Sequence, residues 1–131
     1  MELLRLYRRF YKIEKAATDS SETYSLIDPT QLTAKTFVRN TTNEIEDLGS
    51  PQKDSSGIYY VNLNPKKYSI DLEYDVHWYV TYISIAPIKR LLTTFKLIPQ
   101  ILSSGQIEYN LDYNNNIEFE INDAIDIEIE N

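Results

Sequence analysis

The run from residue 74 to residue 82 carries apolar side chains at every second position, the spacing of a β-strand with one buried face. The residues on that face are Tyr74, Val76, Trp78, Val80 and Tyr82. Shorter runs at 32–38, 58–63 and 89–97 also have strand character, and turn sequences rich in polar residues, proline or glycine separate them. No convincing amphipathic helix lies between these runs. The sequence therefore predicts an all-β fold, an antiparallel β-sandwich.

The strand pattern also predicts which side chains fill the space between the two sheets. Each of the four runs contributes at least one large apolar residue. The predicted core residues are Phe37, Tyr59, Val76, Trp78, Val80 and Phe95.

The start of the chain fits two structures. Leu3, Leu4, Tyr7, Phe10 and Tyr11 fit one face of a helix, whereas Leu4, Leu6 and Phe10 fit a strand. The pattern favours the strand and leaves the helix open. The polar stretch that follows predicts a loop inserted at about residues 14–27. We expect the sandwich domain to span residues 1–100.

Charge is distributed unevenly along the 131 residues, which carry a net charge of −7. Residues 101–131 contain eight acidic side chains and no Lys or Arg, so the first hundred residues sum to about +1. Five cations fall within the first fifteen residues. The chain therefore has a basic start and an acidic end.

The acidic end alternates with unusual regularity. From residue 107 to residue 129 the large apolar side chains all have odd numbers, and acids or Asn fill most positions between them. Three-residue breaks at 114–116 and 122–124 suit hairpin turns. Residues 101–131 are therefore predicted to form a β-hairpin or strand extension. Its last strand has two possible roles, as the terminal strand of its own sheet or as an arm that completes a neighbour's sheet.

The oppositely charged ends are the predicted protein-interaction residues. In neighbouring copies a basic start and an acidic end attract each other, which would steer assembly. The candidates are Arg5, Arg8, Arg9, Lys12, Ile125, Ile127, Ile129, Glu128 and Glu130.

Chemistry-bearing motifs are scarce. There is no cysteine, and His77 is the only histidine, so neither a conventional zinc site nor a Ser-His-Asp triad is predicted. The three glycines are too far apart for a phosphate-binding loop. Carboxylate pairs such as Glu118 and Glu120 are interpreted as a solvated strand face. The sequence therefore predicts a non-enzymatic protein with no cofactor, no metal and no small-molecule substrate.

Membrane and nucleic-acid partners are not favoured either. No apolar run approaches the ~20 residues of a membrane span, and the first residues do not resemble a signal peptide. Aromatic residues alternate with cations near the start, as in single-strand binders, but the chain as a whole is acidic. The sequence therefore predicts that the partners of this chain are proteins.

The stretch from residue 28 to residue 97 resembles the immunoglobulin-like modules of structural proteins in tailed bacteriophages. The resemblance rests on Asp28-Pro29 before a strand, on Gly57-Ile58-Tyr59-Tyr60, on Tyr74-Asp75-Val76-His77-Trp78, and on a returning strand with Phe95. It covers a little over half of the chain. In such modules the Gly-x-Tyr and Tyr-x-Val-x-Trp strands pack the two sheets together.

The resemblance implies an immunoglobulin-like sandwich and a virion component, synthesised in the host cytoplasm. A capsid decoration, a neck or head-to-tail protein, and a tail accessory subunit all fit. Such a subunit would bind other virion proteins or copies of itself. The alternative is a receptor- or carbohydrate-binding module, which the eleven tyrosines also suit.

Overall fold

The computed structural model describes residues 3–15, 22–82 and 87–114, and these residues form an antiparallel β-sandwich. The strands predicted within residues 115–131 lie outside the described residues. The strands are β1 (Leu4–Arg9), β2 (Tyr11–Lys15), β3 (Glu22–Leu26), β4 (Gln31–Val38), β5 (Glu44–Gly49), β6 (Gln52–Ser55), β7 (Ile58–Leu63), β8 (Tyr74–Thr81), β9 (Lys89–Ile101) and β10 (Ile107–Tyr113). A short 3₁₀ helix, Pro65–Lys67, follows β7.

Two sheets pack face to face. One has five strands in the order β10-β9-β8-β4-β5, and the other has three in the order β1-β7-β6. The strands β2 and β3 form a separate two-stranded ribbon. The predicted all-β sandwich is therefore confirmed, whereas its immunoglobulin-like identity stays a prediction.

Trp78 lies at the centre of the core and is fully buried. It is paired with Ala34 on β4, whose small side chain leaves room for the indole. Phe10, which directly follows β1 of the opposite sheet, meets the indole edge-on with a centroid distance of 6.0 Å. Val76, Val80 and Phe95 are also buried in this cluster, as their spacing predicted.

Phe37 is not a core residue. On β4 the buried positions are Ala34 and Thr36, so Phe37 faces outward and is half-buried. There its ring packs against His77 of β8, with centroids 4.2 Å apart and the ring planes tilted by 33°. Tyr59 lies at the rim of the core, half-buried against Phe10.

The start of the chain is the strand β1, the structure that the pattern favoured. Two predicted boundaries differ from the structure. The predicted loop at 14–27 instead contains most of the ribbon β2–β3, in which the rings of Tyr11 and Tyr24 meet edge-on. Residues 101–113 belong to the sandwich, because β10 pairs with β9 along its whole length.

Candidate protein-interaction site

A cleft of about 930 Å³ opens between two edge strands, β1 of the small sheet and β10 of the large sheet. Its apolar lining includes Leu3, Leu4, Ile70, Ile107 and Tyr109. We call it the β1–β10 cleft. Its walls are strands whose outer edges pair with no further strand among the described residues.

The hairpin β9–β10 extends beyond the core and forms one wall of the cleft. Odd-numbered residues of both strands share its inner face, and Ile107 is paired with Ile101 near the tip. The same face is buried at Phe95 and Leu97. It becomes 55% exposed at Ile107 and 75% exposed at Ile101. The hairpin thus carries the core's apolar face out past the small sheet.

The deep end of the cleft is closed by a contact between the two edge strands. The Tyr7 main-chain N–H donates a hydrogen bond of 3.1 Å to the Tyr113 hydroxyl. This N–H therefore points away from β7, towards the cleft side of β1. Main-chain groups alternate along a strand, so those of Arg5 point the same way.

The rim of the cleft is mainly basic. Arg5 and Lys66 line it, together with the single carboxylate of Glu108. The Arg5 guanidinium lies over the Tyr60 ring at 4.3 Å from the centroid. The pKa of Arg5 is raised, chiefly by the hydrogen bond to the Tyr7 hydroxyl and secondly by the electrostatic interaction with Tyr60. Arg5 therefore presents a positioned positive charge at the cleft.

The predicted basic interaction residues do not all lie on the surface. Arg5 is exposed, and Arg9 is half-buried on the same outward face of β1. Lys12 lies in β2, and its side chain is outside the described part of the chain. The acidic-end candidates Ile125, Ile127, Ile129, Glu128 and Glu130 also lie outside the described residues.

The prediction that Arg8 is a protein-interaction residue is wrong, because the structure buries this side chain. Only 2% of the residue is exposed, since the inward positions of β1 are Leu6 and Arg8, followed by Phe10. Its Nη1 donates to the Leu92 carbonyl and to the Thr93 hydroxyl, each at 3.0 Å. Arg8 therefore joins β1 to β9 and is not available to a partner.

His77 lies on the outward face of β8, half-buried between Phe37 and Tyr79. Burial lowers its pKa, and the nearby Arg90 lowers it further. Among the described residues, no group of three or more His, Cys, Asp or Glu side chains is placed to hold a metal ion.

Sequence reasoning missed the cleft itself. The odd-numbered apolar row from Ile107 onward was the available signal, but strand periodicity alone does not tell whether the opposite sheet covers that row. The row remains uncovered because the long strand β9, and β10 paired with it, extend beyond the end of the small sheet.

Comparison with known proteins gives no relative: no family model, no curated protein and no solved structure matches the chain. In the described part of the chain, no helix has the length and apolar character needed to cross a membrane.

Proposed function

We propose that this chain is a non-enzymatic assembly module that binds copies of itself, and other chains of the same assembly, through the β1–β10 cleft. The observation that carries the proposal is the row of apolar side chains on β10, Ile107, Tyr109 and Leu111, which lines the cleft and is partly or largely exposed. Apolar patches of this kind, bordered by polar residues, are typical of protein-binding sites.

The edge strands favour an extended partner segment. An edge strand carries main-chain groups that can pair with one more strand, and proteins cover, charge or use such edges. In strand addition, main-chain hydrogen bonds supply affinity and alternate side chains supply specificity. The cleft has both features, because an edge strand lies on each side and apolar side chains lie between them.

A structural role in a phage virion is the biological setting that we propose. It is supported by the resemblance of residues 28–97 to immunoglobulin-like virion modules. Virion subunits are present in many copies, so a self-complementary surface is expected of them.

Sedimentation velocity of the full chain over a range of concentrations tests the proposal. We expect the sedimentation coefficient to rise with concentration. Ile107→Asp is expected to weaken this association about tenfold or more, because docking would then bury a carboxylate. Ile88→Asp is the matched control, since Ile88 is similarly exposed but lies outside the cleft.

Two results would contradict the proposal. One is a full chain that stays monomeric at every concentration. The other is equal association of the Ile107→Asp and Ile88→Asp variants, which would place the contact elsewhere.

A further inference from the structure

We infer that the β1–β10 cleft is the docking site for residues 125–130 of a second copy of this chain. The inference rests on the proposed function, because it names the partner segment of the same site.

The cleft selects for an extended segment with one apolar face. Its interior is lined by aliphatic and aromatic side chains from both edge strands, among them Leu4, Leu111 and Tyr109. A strand laid along either edge would point every second side chain into this interior and the others out towards the rim. The segment must therefore alternate between apolar and polar residues.

Residues 125–130 have that alternation without interruption. Ile125, Ile127 and Ile129 are separated by three acids, Asp126, Glu128 and Glu130. With the isoleucines in the cleft, the carboxylates would lie at the rim. There they would meet the positive charges of Arg5 and Lys66.

The main chain of β1 is placed to receive such a strand. The Tyr7 N–H on this edge is bound by the Tyr113 hydroxyl and not by a strand. Towards the mouth of the cleft, the main-chain groups of Arg5 face the same side. The open part of the edge is therefore next to the apolar lining.

The chain length allows the segment to reach a neighbour. The described part ends at Asn114, after Tyr113 at the closed end of the cleft. Ten residues, 115–124, precede Ile125, and at about 3.4 Å per residue they could span roughly 34 Å. Reciprocal docking in a two-fold dimer would use each cleft once and so strengthen the association.

Engineered cysteines test the inference directly, because the natural chain has none. Full chains carrying Tyr109→Cys are mixed with full chains carrying Ile127→Cys and a mass tag, and are then mildly oxidised. A disulfide requires Cβ atoms about 3.5–4.5 Å apart, so it reports direct contact. Tyr109 is partly exposed, which leaves the core intact in the variant.

The matched control replaces Ile127→Cys by Glu128→Cys, one position along and on the opposite face of the segment. We expect the mixed disulfide dimer to form several-fold more with Ile127→Cys than with Glu128→Cys. Equal yields, or no mixed dimer, would overturn the inference.

A third preparation carries Tyr109→Cys and Ile127→Cys in one chain and is oxidised at high dilution. If it forms an intrachain disulfide while the single variants form no mixed dimer, the segment docks in its own chain and the inference is wrong. The proposed function is tested separately. It stands if the wild-type chain still associates and Ile107→Asp weakens this association more than Ile88→Asp does.

Discussion

The Arg8 guanidinium donates a hydrogen bond of 3.0 Å to the Thr93 hydroxyl, across the space between the two sheets. Trp78 Nε1 donates to the same oxygen, also at 3.0 Å. A single hydroxyl of β9 thus accepts from the first strand of the small sheet and from the central tryptophan of the large one. This polar contact fixes β1, one wall of the cleft, against the five-stranded sheet.

Thr93→Val is expected to lower the free energy of unfolding by about 2–3 kcal/mol, because valine keeps the shape but removes the acceptor of buried donors. Urea unfolding followed by tryptophan fluorescence measures the change. Thr33→Val, at an exposed position of β4, is the control and should stay within about 0.5 kcal/mol of wild type. Equal midpoints for the two variants would contradict the role given to Thr93.

Gly57→Ala is expected to destabilise the fold by about 2–4 kcal/mol. Gly57 has φ +73°, and an added Cβ would lie 2.6 Å from the Leu26 Cβ and 2.9 Å from the Phe10 carbonyl oxygen. Gly49 has a similar φ of +63° but open space around it, so Gly49→Ala should cost only about 1 kcal/mol. Thermal unfolding of both variants checks the difference. Similar melting temperatures would show that the backbone conformation, and not crowding, decides the cost.

Asp28 is expected to make the fold sensitive to acid. Its carboxylate accepts from the Gly57 N–H at 2.8 Å, from Lys53 at 2.9 Å and from the Tyr59 hydroxyl at 3.1 Å. The Gly57 hydrogen bond and then Lys53 lower its pKa below the usual 3.8. A depressed pKa contributes stability above the unfolded-state value, and this contribution is lost as pH falls through the folded-state value.

Melting temperatures of wild type and Asp28→Asn, measured from neutral pH down to below pH 3.8, test this effect. Wild type should be the more stable near neutral pH, and the difference should shrink in acid. Asp71→Asn, at an exposed turn, is the control. A constant difference between wild type and Asp28→Asn would rule out the ionised carboxylate as the cause.

Tyr68 is expected to make the fold sensitive to alkali. Its hydroxyl donates to Glu46 Oε1 at 2.6 Å and lies 2.7 Å from the Thr36 hydroxyl. Burial, and then the hydrogen bond to Glu46, raise the pKa of Tyr68 far above the usual 10.0. The unfolded chain therefore ionises first, and stability is lost as pH rises past 10.0.

Tyr68→Phe should be less stable than wild type at neutral pH by about 1–2 kcal/mol, because Glu46 loses a donor. Its stability should also fall less steeply above pH 10.0. Urea midpoints at several alkaline pH values measure both effects, and Tyr109→Phe serves as the exposed control. Parallel declines for wild type and Tyr68→Phe would contradict the assignment.

The centre of the fold was predictable because it depends on local alternation. Val76, Trp78 and Val80 are large, apolar and two residues apart, and among the described strands no other face offers as much to bury. Phe37 was predicted wrongly for the same kind of reason. It is the largest residue of β4, but the indole of Trp78 needs the small Ala34 opposite it, and this turns Phe37 outward.

Arg8 and the cleft could not be predicted from local pattern. A charged residue at an inward position is stabilised here by acceptors 84 and 85 residues further along the chain. The cleft arises because β9 continues beyond the small sheet, and only the paired sheets reveal that difference in length. Long-range geometry therefore decides which charges and apolar residues are accessible.

Amide hydrogen exchange on the full chain, compared between dilute and concentrated solutions, tests the role of the cleft most directly. We expect exchange in β1, Leu4–Arg9, to slow several-fold when the chain associates, because this edge strand then gains main-chain partners on its cleft side. Exchange in β5, Glu44–Gly49, an edge strand of the other sheet, should stay unchanged. Association that protects β5 and leaves β1 unprotected would contradict a docking role for the cleft.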